Sequence, residues 1–285
     1  MPSRYLHFRR RFTDYLATFV AAGLSVIVVG VLVAIFAYLV IKGAGSVNWA
    51  FLTSTPKPVG EVGGGMANAI VGSAIILAIG SAIGIPFGIG AGIYLAEYGH
   101  NRLGSLVRFT ADVLNGVPSI VIGLVAFGLV VFRQGHFSAF AGGVALAIMM
   151  VPIVARTTEE MLLLVPQQVR EAAFGLGVPQ WRTTLSVTLP TARAGILTGI
   201  MLAFARIAGE TAPLMFTALG NTFWSFSVNQ PIAAVPLQIY AYALSPYDDW
   251  HRQAWAGALV LVALIVSTIA LVRFLFGRSV LREVS

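Results

Sequence analysis

Arg206 and Glu210 stand four residues apart in a stretch, 194–218, that holds no other charge. On a continuous helix that spacing puts both on one face, a turn apart. Arg206 falls twelve residues in, roughly 18 Å along such a helix from Ala194, which is mid-bilayer depth if the stretch spans a membrane. Insertion there costs an arginine about 2.5–3.5 kcal/mol, so the guanidinium must face other helices or water. Two chemistries suit the pair. It is a self-contained ion pair holding helices together, or Arg206 offers its planar fork of donors to an oxyanion in transit. In the second case Glu210 either neutralises the empty site or accepts a hydrogen bond from a protonated oxygen of the anion. Thr211 and Pro213 follow, and the proline frees a backbone carbonyl, tolerable where it lines a cavity. Asn115 and Ser119, flanking Gly116 and Pro118, are the other polar groups in an apolar setting; a pathway and a packing kink explain them about equally well.

These groups need a scaffold, and the composition says which kind. Of 285 residues, 58% are hydrophobic and 10% charged, with a mean hydropathy of +0.86. Soluble domains carry about 25% charged residues. Lipid is therefore the solvent, and most soluble-enzyme readings fall away. Six segments are long enough for the roughly 20 residues that cross a hydrocarbon core: 15–41, 62–96, 113–132, 134–155, 194–218 and 253–272. The last is bounded by Arg252 and Arg273, and only the fifth contains charge. The first is too long for a cleaved signal and lacks a convincing small-residue cleavage site, so it reads as an anchor.

Six spans leave both termini on one side. With the N-terminus inside, the inner segments hold Arg4, Arg9, Arg10, Arg11, Arg102, Arg108, Arg156, Arg170, Arg182, Arg193, Arg273, Arg278 and Arg282. The outer segments hold only Lys42, Lys57, Arg133 and Arg252. This is a positive-inside bias, so the net charge of +7 reports topology and not a nucleic-acid partner. An outer stretch, 221–252, is rich in aromatics such as Phe223, Trp224, Tyr242 and Trp250, which suits either the headgroup level or an external partner. Glycines 84, 88, 90 and 92 read as close helix packing. Glu159 and Glu160 read as a solvated charge cluster.

The long inner loop, 157–193, contains EAAFGLGVPQWRTTLSVTLP at 171–190. The pattern predicts a short amphipathic helix, a turn at Gly177 with Pro179, and a second helix that stops near Leu189 and Pro190. Glu171, Ala172 and Ala173, then Gly177, then Leu189 and Pro190 keep the spacing of the loop signature of ATP-binding-cassette importer permeases, which this segment resembles. Val187 stands where that family more often has isoleucine. Further stretches resemble the PstA branch, the permeases of bacterial phosphate importers: GMANAIVGS (65–73), YLAEYG (94–99), LNGVPSIVIGL (114–124), RTTEEMLLLVPQQVREAAFGLG (156–177) and ARIAGETAPL (205–214). The similarity runs in register from about 66 to 217.

The resemblance implies an all-α integral membrane protein of six transmembrane helices with the type I, MetI-like importer permease fold. In that family the 171–190 segment is a cytoplasmic coupling helix docked on an ATPase. It further implies a phosphate path through Arg206 and, less directly, Glu210. The expected location is the bacterial inner membrane, and the expected partners are a homologous PstC-like permease, two PstB-like ATPases that carry ATP and magnesium, and an extracytoplasmic PstS-like phosphate-binding protein. No cofactor is expected on this chain: it has no G-x-x-x-x-G-K-[ST] loop, its two lysines lie in an outer loop, it has no cysteine, and its four histidines lack metal-ligand spacing. The expected division is an N-terminal segment with the first span and outer loop (1–65), a permease core (66–276) and a cytoplasmic tail (277–285). A permease for sulfate or molybdate is the near alternative, and an ion-coupled secondary transporter the distant one.

Overall fold

Where the sequence runs long without charge, the chain is helical. The computed structural model describes residues 4–61 and 63–281, with side chains from 11 to 275. Arg4, Arg9, Arg10, Arg278 and Arg282 therefore lie outside the described side chains. Helix α1, Arg4–Gly43, precedes a short α2, Trp49–Thr53. The core begins with α3, Ala67–Glu97, a 31-residue helix. Next come α4, Arg102–Gly116, and α5, Ser119–Ala126, which continues through a π-helical turn at Phe127–Val131 into α6, Phe132–Gln134. Gly135, with φ +75°, ends it. Helix α7 is Ala139–Leu163, α8 Gln167–Gly175 and α9 Gln180–Thr183. A second π turn at Thr184–Thr188 joins α9 to α10, Leu189–Ala208. The chain ends with α11, Ala212–Met215, α12, Val235–Ala243, and α13, Asp248–Leu281.

The centre of the bundle is the α3–α7 pair, and small residues decide its closeness. Gly80, Gly84, Gly88 and Gly92 recur every four residues and lie under Leu146, Met150, Val154 and Thr158, which recur likewise. A Cβ at Gly88 would sit 2.6 Å from the Cβ of Val154, and one at Gly92 2.5 Å from that of Thr158. Backbones approach this closely only where glycine removes the side chain. Gly90, on the far side of α3, has open space around it and takes no part. Ile76, Leu146, Met150, Ile207 and Leu214 complete the main apolar core.

Two spans differ from the sequence expectation. The third is a broken helix: Arg102–Gly116 and Ser119–Gln134 meet at 109°. Pro118 has no N–H to give, and it forces Val117 out of the helical region to ψ 132°. The crossing part thus starts at Ser119 and not at 113. The fifth span runs unbroken from Gln180 to Ala208, straight through Pro190. The second hairpin helix, expected to stop near Leu189 and Pro190, runs on into this span, which therefore covers 180–208 and not 194–218. Pro190 is tolerated because it falls beside the π turn, which loosens the ladder where a proline ring would clash with the preceding turn.

Helix α1 is peripheral: of its described side-chain positions only Leu39 and Gly43 are buried. It touches α13 near one end, where the Tyr38 ring meets Trp255 edge-on at 5.2 Å. Helix α13 continues to Leu281, and the remainder of the expected tail lies outside the described residues.

Candidate functional site

The α8–α9 hairpin protrudes from one end of the bundle. Helix α8 is nine residues, and Gly177 turns the chain with φ +78°, a left-handed conformation that costs glycine nothing. Glu171, Ala172 and Gly177 are exposed, while Ala173 is buried against the bundle. Leu176 (84% exposed) and Trp181 (61%) stand out from the tip with Phe174. A short rigid hairpin presenting apolar side chains beside a carboxylate suits protein contact. Leu189 is half-buried and Pro190 exposed, both on the shaft leading to α10.

Charge gathers at the same end. Arg170 of α8 bonds the carboxylate of Glu97 at the C-terminus of α3, and its Nη2 donates to the carbonyl of Leu162 in α7 at 2.6 Å. Arg108 donates from Nε to Glu159 Oε1 at 2.5 Å, and from Nη1 and Nη2 to the carbonyls of Gly99 and Leu95, both at 2.8 Å. Arg156 holds the other oxygen of Glu159 at 2.8 Å and reaches Asp112 at 3.3 Å. Glu159 is therefore buried between two arginines, not solvated as its sequence neighbourhood suggested; Glu160 alone of the two faces outward. The missed signal was spacing: Arg156 and Glu159 sit one turn apart on an amphipathic end of α7.

Arg206 and Glu210 are placed differently from the helical expectation. Helix α10 ends at Ala208, Gly209 caps it, and Glu210 and Thr211 belong to the connection into α11. They are not one turn apart on a common helix face, and no ion pair joins them. Arg206 is exposed and Glu210 half-buried, and neither has a hydrogen-bonding partner among the described residues. The neighbouring Ile207 and Ala208 line a small void with Ile76, Leu146 and Leu214. Leu146 is seven residues into α7, about 10 Å from its start, so the helix break lies inside the bundle's depth. Thr198, Leu202 and Arg206 form one stripe of α10 that this chain leaves uncovered.

The broken helices meet there. A Cβ at Gly123 of α5 would lie 2.7 Å from the Cα of Pro213 in α11, so these two short helices touch backbone to backbone. Asn115 lies in the last turn of α4 and Ser119 opens α5, both half-buried and without side-chain hydrogen bonds. Thr211 likewise makes none. Irregular backbone follows from Phe216 to Ala234 and is satisfied by the bundle. The amides of Ser138, Ala139 and Phe140, at the start of α7, donate to carbonyls of Thr217, Gln230 and Val228 at 2.9–3.0 Å. The amide of Val235 donates to Ser73 Oγ at 2.8 Å.

The aromatic stretch divides. Tyr242 is buried and stacks on Trp250 at 4.6 Å, whereas Phe223 and Phe226 are exposed. Tyr242 lines a cavity of about 590 Å³ with Lys57, Asn221, Gln238 and Trp250. Burial pushes its phenol above the ordinary range, which keeps it neutral. No group of three or more metal-ligating side chains occurs among the described residues.

Comparison with known proteins decides what this architecture belongs to. The family described as binding-protein-dependent transport system inner membrane component matches residues 84–283, more than half of the chain. The chain belongs to that family. Among its relatives, the phosphate transport system permease protein PstA of Yersinia pestis is 48% identical over 240 residues, covering 84% of this chain and 81% of that protein. The protein of the same name from Xylella fastidiosa is 51% identical over 231 residues, covering 80% of each. A probable PstA of Methanocaldococcus jannaschii is 33% identical over 93% of this chain and 94% of its own length. The inward-facing MetNI methionine ABC transporter shares the fold, with a TM-score of 0.59 at 20% identity over 77% of this chain and 97% of that one. Family membership and the apolar helices make this chain a multi-pass membrane component of a binding-protein-dependent importer, a transport subunit and not an enzyme.

Proposed function

We propose that this chain is one of two membrane-spanning subunits through which an ATP-driven importer passes inorganic phosphate across the cytoplasmic membrane. The names of its relatives support the substrate, and Arg206 supports the route. The observation that carries the reading is that Arg206 is an unpaired, exposed arginine at a helix break inside the bundle, on an uncovered stripe of α10. A guanidinium facing lipid at that depth is expensive, so the stripe faces a second subunit or a polar path. Phosphate satisfies its fork of donors bidentately. Glu210, Thr211, Asn115 and Ser119 are the further polar groups without partners at the neighbouring breaks.

Energy enters through the α8–α9 hairpin, whose exposed Glu171, Ala172, Phe174 and Leu176 form the dock for one of two ATPase subunits that bind ATP and magnesium. The second permease is PstC-like, and a PstS-like binding protein delivers phosphate on the opposite side. Both termini are cytoplasmic in this reading, which the arginine distribution supports. The test is radiolabelled phosphate uptake into vesicles holding the full complex, with ATP hydrolysis followed in parallel. Arg206→Gln is expected to lower uptake about tenfold or more, because a charge-assisted bond of roughly 1.5–3 kcal/mol is lost, while hydrolysis continues. Uptake at the wild-type rate would make Arg206 a structural charge and remove the route.

A further inference from the structure

The hairpin is joined to the bundle covalently at both ends, and by polar contacts besides the packing of Ala173. The covalent links are the Leu164–Pro166 connection from α7 and the π turn at Thr184–Thr188, which leads into α10, the helix that carries Arg206. The polar contacts run to the ends of α3 and α7. Arg170 bonds Glu97 and also donates to the carbonyl of Leu162 at 2.6 Å, while Gln180 Nε2 reaches the carbonyl of Glu97 at 3.4 Å. Both charged side chains are shielded, Glu97 being 5% exposed and Arg170 17%. Helices α3 and α7 are interlocked along the glycine stripe, so whatever holds their ends holds the pair. Arg108 fastens the same ends, from the carbonyls of Leu95 and Gly99 to Glu159.

We infer that Arg170 and Glu97 form the strut that carries displacement of the docked hairpin into the α3–α7 pair. They are positioning residues for transport, acting through helix ends and touching no substrate. The covalent routes alone do not suffice, because a π turn, a local loosening of the helix ladder, lies between hairpin and α10, and the non-helical Leu164–Pro166 link lies between α7 and hairpin. A displaced hairpin without the strut flexes at Thr184–Thr188 and at the Leu164–Pro166 connection, and α3–α7 stays where it was. A single buried charge pair suits the task, since it has one well-defined geometry and breaks when either partner is removed. The inference rests on the reading that the hairpin docks an ATPase.

The experiment uses the full importer complex in vesicles and measures phosphate accumulated per ATP hydrolysed. Arg170→Gln and Glu97→Gln are each expected to lower that ratio about fivefold or more, the scale of a typical coupling energy, with the ATPase still co-purifying and hydrolysing. The double variant is expected to be no worse than either single one, because both remove the same contact. Arg170→Lys, which keeps a cation beside Glu97, is expected to regain most of the ratio. A wild-type ratio in both single variants overturns the strut. Loss of the co-purified ATPase overturns it too, making the pair a docking element. Failure of the wild-type complex to accumulate phosphate with ATP would instead overturn the functional reading beneath it.

Discussion

A guanidinium without a carboxylate partner is the most informative single group in this chain. Had Arg206 and Glu210 shared a helical turn, mutual neutralisation would have been the economical account. Gly209 separates them, leaving each free to meet an anion from a different backbone segment. On the proposed path a carboxylate at Glu210 would accept but not donate, so it would complement a phosphate oxygen that still carries a proton and would itself be left unpaired beside sulfate. Unpaired buried groups cost about 1–3 kcal/mol, and for a half-buried acceptor the lower part of that range predicts roughly fivefold to tenfold discrimination. Glu210→Gln is therefore expected to let excess sulfate compete with radiolabelled phosphate uptake; competition unchanged from wild type would contradict the role. Glu159 shows the opposite case, a carboxylate saturated by Arg108 and Arg156 and so unavailable to substrate.

Elements in this protein are shaped by where small residues and prolines fall. The α3 glycine stripe sets the approach of α7, and the two faces of α3 should therefore respond differently to substitution. Gly88→Val is expected to lower stability by about 1–3 kcal/mol, because the added carbons land on Val154 and the bundle must spread. Gly90→Ala meets open space and is expected to leave stability unchanged or raise it slightly. Thermal unfolding midpoints of the two variants in detergent provide the check; equal midpoints would mean that the stripe does not set the packing. Prolines act through context in the same way. Pro118 breaks a span at 109°, whereas Pro190 sits beside a π turn and is absorbed. Sequence alone marks both as breakers with nearly the same warrant.

The whole molecule is incomplete as a single chain. Helix α1 and the outer stripe of α10 are uncovered, and the hairpin tip exposes Leu176 and Trp181. Lipid can cover α1, but a stripe that carries Arg206 and an apolar knob in water call for other subunits. Orientation is open to a direct measurement, since the chain has no cysteine of its own. Thr222→Cys, in the loop between α11 and α12, is expected to react with an impermeant maleimide on intact cells. Gln168→Cys, in the hairpin, is expected to react only after permeabilisation. The reverse pattern would invert the proposed topology.

The sequence by itself determined which apolar segments form spans, though not where the third and fifth begin and end, together with the orientation bias and the hairpin signature, because each depends on local composition or on spacing within one short segment. Hydrophobic runs of 20 or more residues have few alternatives in lipid, and a left-handed turn at Gly177 is set by its own residue type. The tertiary structure decided what depends on neighbours far along the chain. It placed Arg206 and Glu210 on separate backbone segments and buried Glu159 between arginines from α4 and α7. It also carried the fifth span through Pro190 and tied the hairpin to α3 through Arg170 and Glu97. Helix termination and charge pairing of this kind are settled by which backbone groups and counter-charges a fold brings within reach, and no local pattern contains that information.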